Sequence, residues 1–456
     1  MNANMTDWTP DSWATKPIAQ DIAYADKTLL SECVNRLGAL PPLVTSWEVE
    51  DLRNQLADAQ EGKCFVLQGG DCAETLADCQ PTIIANKLKI LLQMSLVMIL
   101  GARKPVVRIG RFAGQYAKPR SSTTETRDGI ELPSYFGDLI NHPEFTSESR
   151  TPDPRLLLSA YQHSALTLNF IRALATGGFA DLHHPEYWDL PFIERSDVSE
   201  KLRVEHQRLL QRLEDSMRFM ESLGEGALGE LKRVQFFTSH EGLNLHYESA
   251  QTRLVPRNPG HYVLSTHMPW IGERTRQVDG AHVELFRGVK NPVGVKLGPK
   301  ATGDEIARLI DVLNPKDIAG KLVLITRLGK TNVHDALPKM IERVKREGRR
   351  VLWVSDPMHG NTRLASSGLK TRRFDDILTE LDAVFEVHKS MGTILGGVHF
   401  ELTGDEVTEC IGAGLTEEDL PRNYDTACDP RLNYQQSLEL AFSLAHRLAQ
   451  AREQGA

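Results

Sequence analysis

Short runs of β-branched and apolar residues alternate along this chain with stretches whose apolar positions recur at helical spacing. The runs are Cys64 to Gln68, Pro105 to Gly110, Val234 to Thr238, Tyr262 to Thr266, Val293 to Lys296, Leu322 to Arg327, Val351 to Ser355 and Gly397 to Glu401. Between or after them come amphipathic segments such as Asp304 to Leu313, Val333 to Lys345 and Tyr434 to Ala451. Eight strands alternating with helices predict an α/β fold, a (β/α)8 TIM barrel. A doubly wound open sheet is the structural alternative, and it would gather ligands at one crevice.

Two segments exceed a minimal barrel. Residues 1–60 form an amino-terminal extension expected to pack on the barrel, which then occupies 61–456. An insertion at about 150–230, between the second and third strands, carries helical patterns over Arg155 to Ala175 and Leu202 to Leu223. Such additions cover barrel surface, form subunit contacts or bind a regulator.

Reactive side chains fall at or just past the end of strand after strand: Cys72, Arg111, Glu241, Arg274, Lys296, Arg327, His359 and Glu401. In a closed barrel those ends make one rim, where this fold builds its active sites. Cys72, His359, Glu401 and Asp429 together offer a thiolate, an imidazole and two carboxylates, a mixed soft and hard set suited to Mn, Fe, Co or Zn rather than Mg or Ca. Each has a plainer reading, as a core thiol or an ordinarily hydrogen-bonded histidine. Arg108, Arg111, Lys118 and Arg120 crowd around Gly114 and Ser121, offering guanidinium forks and a hydroxyl to phosphate or carboxylate oxygens. A solvated basic loop is the alternative. Arg274, Lys296 and Arg327 come from three further strands and with Arg111 ring a small polyanion. Burying these cations without an anion requires acidic partners, of which Glu273 supplies one.

Composition narrows the partners. The 456 residues are 41% hydrophobic, enough for a large core, and the formal net charge is -8, which argues against nucleic acid. Met1 to Lys16 lacks the basic head and apolar centre of a secretory signal, so the expected compartment is the cytoplasm. The most apolar stretch, Ile90 to Leu100, is too short to span a bilayer, so no membrane role is expected. Six scattered cysteines do not make a disulfide scaffold. There is no CxxC pair, HExxH, GxGxxG or GxSxG motif, and Gly329-Lys330-Thr331 is not a P-loop because Leu324 stands where its first glycine belongs. Two classes besides a two-substrate enzyme fit these features: a metal-dependent aldolase or isomerase of one sugar phosphate, and a noncatalytic anion sensor.

Phe65-Val-Leu-Gln-Gly-Gly-Asp-Cys-Ala-Glu74, Arg111-Phe-Ala-Gly-Gln-Tyr-Ala-Lys-Pro-Arg-Ser121, Gly272-Glu-Arg-Thr-Arg-Gln277, Val398-His-Phe-Glu-Leu-Thr-Gly404 and Ala427-Cys-Asp-Pro-Arg-Leu-Asn433 resemble the type II 3-deoxy-D-arabino-heptulosonate 7-phosphate (DAHP) synthases, in their long form. The likeness runs from about Trp8 to the final helix. It implies a metal-dependent transferase that condenses phosphoenolpyruvate with erythrose 4-phosphate and water to open the shikimate pathway. By the same resemblance Cys72, His359, Glu401 and Asp429 hold Mn2+ or Co2+. Arg111, Arg274, Lys296 and Arg327 clamp phosphoenolpyruvate, and Lys118, Arg120 and Ser121 take the tetrose phosphate. Lys118 and Glu273 are candidates for proton transfer, and His359 joins the catalytic group as a metal ligand. Retention of both additions implies feedback inhibition by tryptophan, phenylalanine or tyrosine, a homodimer or homotetramer, and a possible chorismate mutase partner. Cys428 stands beside Asp429, so if Asp429 and Cys72 share a metal, the two thiols come within reach of pairing once it leaves.

Overall fold

The computed structural model describes residues 8–176 and 235–453 except 257 and 427, together with the isolated positions 204, 207, 208 and 211. The expected helix over Leu202 to Leu223 therefore lies mostly outside the described residues. In chain order the elements begin with α1 (Lys27–Ala39), α2 (Ser46–Gln60), β1 (Phe65–Gly70), α3 (Pro81–Ala102) and β2 (Val106–Arg111). A hairpin of β3 (Thr124–Arg127) and β4 (Ile130–Pro133) follows, then α4 (Ser147–Arg150), α5 (Arg155–Thr176) and β5 (Phe237–Glu241). Next come α6 (Leu245–Ala250), β6 (Thr252–Leu254), β7 (His261–Val263), β8 (Met268–Ile271), α7 (Ala281–Arg287), β9 (Val293–Leu297), α8 (Gly303–Leu313) and β10 (Leu322–Thr326). The chain ends with α9 (Val333–Arg346), β11 (Leu352–Ser355), β12 (Arg363–Leu364), β13 (Lys370–Thr371), α10 (Phe374–Ser390), β14 (Leu395–Glu401) and α11 (Tyr434–Glu453).

Eight of these strands close a barrel in the order β1-β14-β11-β10-β9-β8-β5-β2, every neighbouring pair parallel. This is the TIM barrel that the alternation predicts. The first and last strands meet edge to edge, with Gly70 opposite Glu401. One strand differs from expectation. Tyr262 to Thr266 does not enter the barrel; His261–Val263 pairs antiparallel with Thr252–Leu254, and the fourth barrel strand is Met268–Ile271. The third begins later than expected, at Phe237.

Residues alternate between two environments along the strands, as the two-residue side-chain period requires. Val66, Val107, Ile109, Val323, Ile325, Leu352 and Val354 cluster with Leu52, Leu56 and Ala59 of α2, so that helix plugs the mouth where the strands begin. Its start is fixed by a capping box between Thr45 and Glu48. The neighbouring strand residues, such as Val295, Leu297, Leu322 and Leu324, pack outward against helices. In α8, Thr302 caps the amino terminus and Ile306, Leu309, Ile310 and Leu313 form the inner stripe.

The apolar run around Ile90 belongs to a longer element than it suggests. Pro81–Ala102 has 22 residues and is long and apolar enough to cross a membrane. It is a core helix instead, lying against β1, β2, α5 and α11, with Leu88, Ile90, Leu91 and Met94 fully buried.

Candidate active site at the carboxyl-terminal rim

The ends of the strands face a cavity of about 510 Å³, whose walls include Lys118, Arg120, Ser121, Glu241, Glu273, Arg274, Lys296, Arg327, His359 and Asp429. The opposite mouth is stopped by α2. Three proposed ligand residues cluster at the cavity's edge, Asp429 in its wall and Cys72 and Glu401 buried behind it: the Cys72 thiol and one carboxylate oxygen each of Glu401 and Asp429 lie within 4.8 Å of one another. Each arrives from a different place, Cys72 two residues past β1, Glu401 as the last residue of β14, and Asp429 from the loop before α11. Gly70 allows the first of these turns. Its φ is +145°, and a Cβ there would stand 2.8 Å from the Arg111 carbonyl oxygen.

His359, after β11, reaches the same cluster. Its Nε2 is 3.0 Å from Glu401 Oε1, while Asp356 Oδ2 accepts from Nδ1 at 2.7 Å. Asp356 also takes the backbone N–H groups of Met358 and His359, so the ring is oriented with Nε2 toward the cluster. An imidazole whose other nitrogen is held by a carboxylate is the usual form of a metal-binding histidine. Burial pushes the His359 imidazole below its ordinary value, against the pull of Asp356 and Glu401.

The chemistry of this donor set can be tested on what stands among it. The Lys118 ammonium touches the Cys72 sulfur, lies 3.2 Å from Glu401 Oε1 and lies 2.7 Å from Asp429 Oδ2. Burial opposes charge on all of them. Even so, His359 and Lys118 hold Glu401 well below the usual carboxylate range, Lys118 does the same for Asp429, and Asp429 and Cys72 raise Lys118 well above its own. A pocket that concentrates anionic oxygens and a sulfur around one ammonium is built for positive charge, and its mixed donors fit a borderline divalent ion. Burial pushes the Cys72 thiol up, and its hydrogen bond to Cys428 adds to that. The bond from Cys72 brings Cys428 down to about 7. Both cysteines are free thiols.

The four cations read as a clamp converge, though not equivalently. Arg111 is buried behind the cavity wall, donating to Glu401 Oε1 and the Cys72 carbonyl, both at 3.1 Å. Lys296 bonds Asp356 at 2.9 Å. Both lie over the Trp270 ring, at 5.3 and 5.4 Å from its centroid. Arg274 is exposed and donates to Ser121 Oγ at 2.9 Å, which brings the two proposed phosphate sets side by side. Arg327 lines the cavity with a buried Nε that has no partner among the described residues. Glu273 does not neutralise this group. Its oxygens accept from Arg276 and from the Gly298 backbone N–H at 2.6 Å.

The loop after β2 holds Lys118 and its neighbours in place through Glu74. This buried carboxylate accepts the backbone N–H groups of Ala113, Gly114 and Gln115 at 2.9 to 3.0 Å. Gly114 has a φ of +153°, and a Cβ would collide with the His240 ring. Further on, the Arg120 N–H donates to Gln20 Oε1 at 2.7 Å and its guanidinium reaches the Cys428 sulfur at 3.7 Å.

Several residues of this site escape sequence reading. His399 sits 2.7 Å from Arg111 Nη1 and is held neutral by burial, so its Nε2 accepts from the guanidinium. Trp270 supplies the ring beneath two cations, and Arg372 binds Glu401. Only Asp356 left a trace in the sequence, standing three residues before a candidate ligand histidine.

Over residues 8–445 the chain matches the class-II DAHP synthetase family. It is 47% identical over 469 residues to the phospho-2-dehydro-3-deoxyheptonate aldolase of Neurospora crassa, covering 99% of this chain and 96% of that protein. It is 46% identical over 447 residues to the protein of the same name from Streptomyces coelicolor, covering 98% of each.

Proposed function

We propose that this chain, which belongs to the class-II DAHP synthetase family, condenses phosphoenolpyruvate with D-erythrose 4-phosphate and water to give 3-deoxy-D-arabino-heptulosonate 7-phosphate and inorganic phosphate. That reaction is the first step of the shikimate pathway to aromatic amino acids. The reading is carried by one observation: a sulfur and two carboxylates converge within 4.8 Å of one another, and one of them, Asp429, lines a cavity that also presents Arg274, Lys296 and Arg327.

In this proposal Arg111, Lys296, Arg274 and Arg327 hold the carboxylate and phosphate of phosphoenolpyruvate, and Lys118, Arg120 and Ser121 hold the tetrose phosphate. Clamping both substrates turns their encounter into a reaction within one complex, with C3 of the enol phosphate facing C1 of the aldehyde. Mn2+ or Co2+ held by Cys72, His359, Glu401 and Asp429 would supply Lewis-acid polarisation of that aldehyde. The C3–C1 bond forms, the aldehyde oxygen takes a proton to become a hydroxyl, and C2 is left cationic. Lys118, kept as an ammonium by its anionic neighbours, is placed to give that proton from Nζ. Water adds to C2 and loses a proton. The C2–O bond to phosphate then breaks, the hemiketal hydroxyl gives up its proton, and a ketone remains. Glu273 and His359 are the other groups in the cavity wall assigned to the chemistry. The bonds from Arg276 and Gly298 favour a positioning role for Glu273 over proton transfer.

The same proposal extends beyond the site. Residues 1–60 are an extension and 61–456 the catalytic barrel, with the insertion at about 150–230 serving contacts or regulation. An aromatic amino acid, tryptophan, phenylalanine or tyrosine, inhibits from a place away from the rim. The assembly is a homodimer or homotetramer, and a chorismate mutase is a candidate partner. Free thiols fit a reducing compartment, here the cytoplasm.

Phosphate release, measured with each substrate and Mn2+ omitted in turn, tests the reaction. It should require all three, and release from phosphoenolpyruvate alone would refute the reading. Repeating the assay with each aromatic amino acid tests the regulation.

A further inference from the structure

Besides Lys118, a second buried group outside the set of candidate ligands touches three of the segments that carry them. Arg372 stands just after β13, at the end of the β12–β13 hairpin, and is fully buried. Its Nη2 donates to Glu401 Oε2 at 2.7 Å, its Nε donates to Thr362 Oγ1 at 3.0 Å, and its Nη1 donates to the Pro430 carbonyl. Thr362 lies three residues past His359, and Pro430 follows Asp429. The guanidinium fork therefore joins the loop of His359, the end of the strand of Glu401 and the loop of Asp429.

The two oxygens of each carboxylate are treated differently. Glu401 Oε2 is taken by Arg372, while Oε1 faces Lys118, Arg111 and His359. Asp429 Oδ1 is taken by Lys370 of the same hairpin at 2.9 Å, while Oδ2 faces Lys118. The hairpin caps the outer oxygen of both acids and leaves the inner ones aimed at the cation position.

We infer that Arg372 is a positioning residue that preassembles the metal-binding donors, fixing Glu401 by its outer oxygen and tying the His359 and Asp429 loops to it. This rests on reading Cys72, His359, Glu401 and Asp429 as metal ligands. A buried fork with three acceptors is a costly arrangement to build, and a lysine amine, one nitrogen on a flexible stem, cannot reproduce it. Partners one shell behind a metal typically contribute tenfold to a hundredfold in affinity.

Mn2+ binding to the chelator-stripped full-length protein is the measurement, by titration calorimetry and by the loss of free-ion paramagnetic resonance signal. Arg372→Lys should weaken Mn2+ binding by roughly 10- to 100-fold. Thr362→Val, which removes one acceptor and leaves the charge in place, should weaken it by a smaller factor. Cys72→Ser, a change in a ligand itself, is measured beside them. Mn2+ affinity within twofold of the parent in both Arg372→Lys and Thr362→Val, with Cys72→Ser impaired, would overturn the inference and leave the metal site standing. Unchanged affinity in Cys72→Ser would instead remove the metal reading beneath it. Melting curves of the stripped proteins separate weakened binding from failure to fold, and Thr362→Val carries the test if Arg372→Lys does not fold.

Discussion

At the scale of single residues, the cavity's cations differ in what they already hold, which predicts how their loss is felt. Arg111 and Lys296 have buried acidic partners, whereas Arg274 is exposed and, among the described residues, its side chain bonds a hydroxyl alone. Arg274→Ala should therefore leave the fold intact and raise the KM for phosphoenolpyruvate by about 10- to 100-fold, the worth of a hydrogen bond to a charged group. Steady-state kinetics at saturating tetrose phosphate checks it. His388, far from the rim on α10, makes a prediction about pH. Burial lowers it to about 4, and its Nδ1 bonds Thr393. The unfolded chain takes up this proton near pH 6.5 and the folded one does not, so stability is complete above that value. It should fall as pH drops toward 4, by up to about 3 kcal/mol from this group. Urea unfolding at pH 7 and pH 5 should show a smaller drop in His388→Gln than in the parent. Which side chains form the rim was legible, because chemistry-bearing residues fall at strand ends in a repeating order. What orients them was not. His399, Trp270 and Arg372 carry no spacing signal, since their partners come from strands and loops far away along the chain.

Among the elements, the barrel strands were legible where β-branched residues cluster and less so where they do not. Met268–Ile271 contains Pro269 and reads poorly as a strand, while the nearby Tyr262-Val-Leu reads well and instead completes a hairpin. A parallel barrel strand takes its stability from burial on both faces, which sequence propensity does not register. The loop after β2 is the element on which Lys118, Arg120 and Ser121 depend, and Glu74 gathers three of its backbone donors. Glu74→Gln removes the charge and one acceptor while keeping the size. It should cost about 1 to 3 kcal/mol of stability and raise the KM for both substrates. Thermal unfolding and kinetics together check this, and a change in stability with unaltered KM values would separate the loop from the site.

For the molecule as a whole, the candidate ligands are drawn from both ends of the barrel's chain order, so occupancy and folding are coupled. Mn2+ that binds only the folded protein should stabilise it by about 2.7 kcal/mol at a hundredfold excess over Kd. The melting temperature should rise with Mn2+ in the parent and stay constant in Asp429→Ala, as differential scanning calorimetry would show. The plug of α2 in the opposite mouth and the burial of α3 were only partly foreseen, because which helix covers which strand is decided by packing among distant segments. The seam between the first and last strands carries the largest consequence. Cys72 and Glu401 stand on either side of it, and Asp429 comes later still. A chain emerging from the ribosome can hold Cys72 outside the exit tunnel long before its co-ligands exist. On the proposed function, metal capture by this set would wait for the closing strand and the loop beyond it, and a nascent chain stalled before Glu401 would bear every guanidinium of the proposed clamp yet lack two of the proposed ligands.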